Sequence, residues 1–313
     1  MALVNVSRWI GILALAVVIG PWAAAWAATV KVGLVDFALR HDTLKALDNV
    51  KVRSITFEST GFSPARYQSA QNRRGHGDVM AAELIEVFRS TAPGHTLELY
   101  VASPFLENSE TGRQVIDFDQ LEFAYEWFAR QGVKIVAQTF VAKDNPKLEA
   151  AVAAAADKGL VILTSAGNGP RQNVVPPFPA GYASTIGIST TALESELSLE
   201  DQRNDYVRYS VKAPSVSALK LRQDPELAVM SGSSRATVAA AGLLGALATR
   251  YRLDNREDAT LLLDTLAVPM AQFGPENAYG LGVLMTDMIA EHLRAPGLMP
   301  ELKHLLLSER MSA

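Results

Sequence analysis

Val133-Lys134-Ile135-Val136-Ala137-Gln138-Thr139-Phe140 is an apolar run, and Leu160-Val161-Ile162-Leu163-Thr164-Ser165 is another. Between them Pro146 to Asp157 is Ala-rich, opens on a proline and is followed by Gly159. Proline suits the first turn of a helix and glycine the position just past its end. The order is therefore strand, helix, strand. Two strands joined through a helix run parallel, and a parallel sheet must be covered on both faces.

The same alternation continues outward. Upstream, Phe118 to Gln131 reads as a helix ending at Gly132. Leu97 to Ala102, Val52 to Phe57 and Val30 to Asp36 read as strands. Asp78 to Phe88 has helical spacing, with Val79, Ala82, Ile85 and Phe88 on one side. Downstream, strands are expected near Thr185 to Ser189 and Leu227 to Met230. Helices are expected over Ser234 to Arg250, Asp258 to Leu266 and Leu284 to Arg294. The fold class is α/β: one domain with a mostly parallel sheet and helices on both faces. No internal repeat or low-complexity linker interrupts it.

The chain has 313 residues, 49% hydrophobic and 20% charged, which supports a sizeable core. Net charge is −4, and no run of Lys or Arg exceeds two residues, so nothing points to a nucleic-acid partner. Cysteine is absent, which excludes disulfides, thiolate metal sites and a cysteine nucleophile. Near the N-terminus, Arg8 precedes the apolar stretch Trp9 to Gly20, Pro21 breaks it, and Ala25-Trp26-Ala27 has the small-x-small form of a signal-peptidase site. The expected organisation is a signal peptide over residues 1–27, a catalytic domain over 28–295 and a tail over 296–313. An uncleaved segment from Trp9 to Trp26 would instead anchor the chain to a membrane. Either way the body of the protein is expected in an exported compartment, periplasmic or secreted.

Ligands of open α/β sheets sit beyond the C-terminal ends of the strands. Four residues are expected at that edge. Asp36 closes a strand, His76 and Ser234 each stand at a helix start, and Asn168 follows a strand. Each alone has an ordinary structural role: a turn-capping Asp, a solvated His, a turn Asn, a helix N-cap Ser. Together they can form a nucleophilic serine, a general base, an orienting acid and an oxyanion donor.

Four blocks carry this set. They are Val32-Gly33-Leu34-Val35-Asp36, His76-Gly77 with small residues after it, Ala166-Gly167-Asn168, and Gly232-Ser233-Ser234 followed by Ala236-Thr237. They resemble the signature blocks of the subtilisin-like serine peptidases. Phe178 to Ile186, Val211-Lys212-Ala213-Pro214 and Tyr279-Gly280-Leu281-Gly282 extend the resemblance, which covers about Val30 to Leu293. It implies the subtilisin-like three-layer fold and an endopeptidase acting on polypeptide substrates. Asp36, His76 and Ser234 would be catalytic, and Asn168 would bind the oxyanion. That chemistry needs no cofactor, and no Asp-x-Asp-x-Asp-Gly calcium loop is present, so no metal site is expected.

The blocks also depart from the family pattern. Phe37-Ala38 stands where Thr/Ser-Gly usually follows the acid, and Val79 replaces the second His of the histidine block. Arg235 replaces the Met after the serine, and Val238 the Pro of Thr-Pro. Thr139-Phe140-Val141 takes the place of the usual Ser-Leu-Gly wall of the specificity pocket. So few residues separate Ala27 from Asp36 that folding without an N-terminal propeptide is expected. These departures keep two rivals open: a weakly active or inactive binding or scaffold protein on the same fold, and an esterase using the same residues.

Overall fold

A computed structural model describes residues 28–40, 44, 47–56, 67–69, 75–168, 177–191, 206–212, 232–269 and 280–294. The signal segment, the tail beyond residue 295, the expected strand at Leu227 to Met230 and Tyr279 lie outside these residues.

Eight strands build one sheet: β1 (Thr29–Val35), β2 (Val50–Thr56), β4 (Thr96–Ser103), β7 (Ile135–Gln138), β8 (Val161–Ser165), β9 (Thr185–Thr190), β10 (Tyr209–Lys212) and β11 (Val283–Met285). Their order is β11-β10-β9-β8-β7-β1-β4-β2, and every neighbouring pair is parallel. The helices are α1 (His76–Thr91), α2 (Phe118–Arg130), α3 (Pro146–Asp157), α4 (Ser233–Leu247), α5 (Arg256–Leu266) and α6 (Thr286–Arg294).

Strand alternation divides the core in two. Val32, Leu34, Leu97, Leu99, Ile186 and Ile188 join a cluster with buried residues of α1, α4, α5 and α6. Val35, Tyr100, Val136 and Ile162 point the other way, onto α2 and α3. Helices thus cover both faces. α1 and α4 make the most extensive helix contact, and a Cβ on Gly242 would lie 2.5 Å from the Leu84 carbonyl oxygen. Only glycine lets the two backbones approach so closely.

A small antiparallel sheet was not foreseen. It joins β3 (Tyr67–Ser69), β5 (Phe105–Asn108) and β6 (Gln114–Ile116) in the order β3-β5-β6. These strands have three or four residues, too few for a period-2 pattern to register. The expected helix at Leu284 is in fact split. Val283–Met285 pairs with β10, and α6 begins only at Thr286. Among the described residues no helix is long and apolar enough to cross a membrane.

Candidate active site

Asp36 leaves the end of β1 almost fully buried, and its backbone N–H donates to the Ala102 carbonyl. A carboxylate in such a place must be well solvated by protein groups. Three donors do this. The Phe37 N–H reaches Oδ1 at 2.6 Å, and the Thr139 hydroxyl reaches Oδ2 at 2.5 Å. His76 Nδ1 lies 2.9 Å from both oxygens. An ionised carboxylate only accepts, so Nδ1 carries the proton and a neutral His76 presents Nε2 as an acceptor.

His76 opens α1, and its ring is half-buried, with Phe37 edge-on at 6.3 Å. Burial by itself lowers the imidazole pKa. The charge of Asp36 and the hydrogen bond to it outweigh burial and raise the pKa above 6.5.

α4 begins at Gly232, whose φ of 119° is a glycine conformation. No side chain caps this helix start, so Ser234 is not an N-cap. It is the second helical residue, and its hydroxyl donates to the Thr139 carbonyl at 2.9 Å. No hydrogen bond between Ser234 and His76 is present among the described residues.

Asn168 follows β8. Its Oδ1 accepts from the backbone N–H of Ser233 at 2.7 Å and from the Ser233 hydroxyl at 2.8 Å. Two donors on one atom fix the orientation of the amide, so Nδ2 faces away as a donor. Ser233 is fully buried and also bonds Ser165 through their hydroxyls at 2.5 Å. Phe37, edge-on to His76, also lines a groove of about 450 Å³ together with Phe105, Phe118, Phe140 and Ile116, with Arg113 among its polar lining residues; His76 and Ser234 do not line it. Phe37 stacks on Phe105 with ring centroids 4.5 Å apart.

The fold thus brings Asp36 against His76, ties Ser234 to Thr139 beside Asp36, and ties Asn168 to the residue before Ser234. Nothing in the sequence ties Thr139 or Ser233 to Asp36, Ser234 and Asn168. The sequence places Thr139 in the wall of the specificity pocket; its contact with Asp36 is signalled only by a hydroxyl at the C-terminal end of a parallel strand, where ligand sites gather. Ser233 carries no signal beyond a serine at a helix start.

A parallel sheet that gathers a buried acid–imidazole pair, a serine at a helix start and an oriented amide at one edge holds the groups that serine hydrolase chemistry requires. Residues 27–282 match the model of the Subtilase family, and the chain belongs to that family. Thermitase of Thermoactinomyces vulgaris is 28% identical over 193 residues, which are 58% of this chain and 64% of Thermitase. Minor extracellular protease Epr of Bacillus subtilis (strain 168) is 24% identical over 169 residues, 54% of this chain and 26% of Epr. The chain thus spans less than two thirds of either relative. The crystal structure of the epidermin leader peptide processing serine protease EpiP of Staphylococcus aureus shares the fold. Its TM-score is 0.60 at 16% identity, over 86% of this chain and 77% of EpiP.

Proposed function

We infer that this chain is an exported serine endopeptidase. In this reading Ser234 Oγ attacks a peptide carbonyl carbon while its proton passes to His76 Nε2. Asp36 holds the tautomer and stabilises the imidazolium that forms. The oxyanion takes hydrogen bonds from Asn168 Nδ2 and the Ser234 N–H. Collapse breaks the C–N bond, and the leaving amine takes the proton from His76. Water, deprotonated by the same imidazole, then hydrolyses the acyl-enzyme.

The observation that carries the reading is the Asp36–His76 contact, with Nδ1 2.9 Å from both carboxylate oxygens. The groove of phenylalanines, which meets the site through Phe37, suits a bulky apolar side chain of a peptide. Export rests on the apolar segment ending in Ala25-Trp26-Ala27 and agrees with the extracellular protease Epr. No cofactor enters any step.

A second reading, a binding or scaffold protein on the same fold, draws on the Ser234 hydroxyl bonding Thr139 rather than His76. Digestion of casein separates the two. The peptidase reading expects cleavage that Ser234→Ala abolishes. Cleavage that survives this substitution, or no cleavage by a folded wild type, counts against it. Turnover of acyl esters without cleavage of casein would favour an esterase.

A further inference from the structure

Helix α1, which carries His76, also buries two carboxylates completely, Asp78 and Glu83. Each faces an arginine from a segment that holds another member of the Asp36–His76–Ser234 set. Arg40, four residues after Asp36, gives Asp78 its backbone N–H at 2.9 Å and its Nε at 3.4 Å. Arg235, directly after Ser234, points Nε at Glu83 Oε2 at 3.1 Å and Nη2 at Oε1 at 3.5 Å. Glu83 lies two helical turns from His76, hence on the same side of α1.

A buried ion pair seldom adds stability over an apolar pair of equal volume, because desolvation offsets the attraction. What such a pair does supply is geometry. An Arg fork meeting a carboxylate, as Arg235 meets Glu83, has a narrow range of good arrangements, and Arg40 holds Asp78 through its backbone N–H as well as Nε. Here the two pairs stand where geometry matters. One joins α1 to the segment after Asp36, and the other joins α1 to the first turn of α4. The glycine contact at Gly242 already sets the spacing of α1 and α4 at its own level, but Gly242 is two turns further along α4 than Arg235.

We propose that Asp78–Arg40 and Glu83–Arg235 form a polar brace that holds the segments of Asp36 and Ser234 in register with His76, which makes these four positioning residues. The inference rests on the serine-hydrolase reading of the site and adds residues to it that touch no reacting atom.

The test uses the folded protein and two readouts. The first is the far-downfield proton resonance of the His76 N–H bonded to Asp36, identified by its loss in His76→Ala. The second is the rate of fluorophosphonate labelling per folded molecule. Asp78→Asn should shift and broaden the resonance and slow labelling. Arg40→Gln, on a partly exposed side chain, makes the same test if Asp78→Asn does not fold. Arg235→Met with Glu83→Leu keeps the packing of α1 on α4 without the ion pair. It should stay folded yet label about 100-fold more slowly, the scale of a 1 Å misplacement of reacting groups. Wild-type resonance and wild-type labelling in these folded variants would overturn the brace. If the wild type shows the resonance but takes no label, the peptidase reading fails. The brace is then decided by the resonance alone: a shifted and broadened resonance in Asp78→Asn supports it and an unchanged one overturns it.

Discussion

The Thr139 hydroxyl donates to Asp36 Oδ2 at 2.5 Å. The carbonyl of the same residue accepts from Ser234 at 2.9 Å. One residue at the end of β7 therefore touches both the acid and the serine, and it does so through different atoms.

Replacing Thr139 by Val removes the hydroxyl and keeps the shape. A hydrogen bond to a charged group contributes about 1.5–3 kcal/mol. We expect kcat to fall by about tenfold, with Thr139→Ser restoring most of it, since the carbonyl contact to Ser234 is unaffected. Steady-state kinetics normalised to titrated active sites measures this. An unchanged kcat in Thr139→Val would remove the hydroxyl from the account.

In the peptidase reading the base is a neutral His76, and its pKa is raised above 6.5 by Asp36 despite the opposing effect of burial. The acid limb of kcat/KM should have its midpoint above pH 6.5. The stability linked to this group runs the other way. It is fully present below the unfolded pKa and is lost as pH rises through the higher folded value. Activity should therefore rise across the same pH window in which this contribution fades. A kinetic midpoint at or below 6.5 would contradict the Asp36–His76 coupling.

A Cβ on Gly232 would lie 2.8 Å from Asn168 Nδ2, and the φ of 119° is strained for any other residue. Gly232→Ala should lose about 1–3 kcal/mol of stability from backbone strain. It should also lower kcat by displacing the amide. Thermal melts and kinetics on one preparation test both halves of this expectation.

Asn168→Ala removes the acceptor of the Ser233 N–H and the Nδ2 donor together. Asn168 is exposed and this bond is part-buried, so its loss costs about 0.5–1.5 kcal/mol. Loss of an oxyanion donor lowers kcat by roughly 10²–10³, a size taken from subtilisin. KM should stay close to wild type, because the donor acts in the transition state. A rise in KM with kcat unchanged would assign Asn168 to ground-state binding.

Much of this architecture was legible in the sequence. Continuous apolar runs such as Val161 to Ser165, spaced by helical stretches with Pro or Asn starts and Gly ends, lead to a parallel sheet with few alternatives. The positions of Asp36, His76, Asn168 and Ser234 at one sheet edge follow from that topology. What sequence did not show was tertiary. Thr139 looks like any strand-end hydroxyl until β7 is set beside β1. Asp78 and Glu83 read as ordinary polar positions on an amphipathic helix until α4 and the Arg40 segment bury them. The sheet of β3, β5 and β6 is too short to carry a pattern. Phe37 departed visibly from the family block, but only packing against Phe105 shows that it walls a groove.

The most direct test of the central claim is fluorophosphonate labelling of the purified protein, with the modified residue located by mass spectrometry and with His76→Ala alongside. The account predicts one adduct, on Ser234, that His76→Ala reduces to background. Label on another residue, or label on Ser234 at an equal rate without His76, would contradict it.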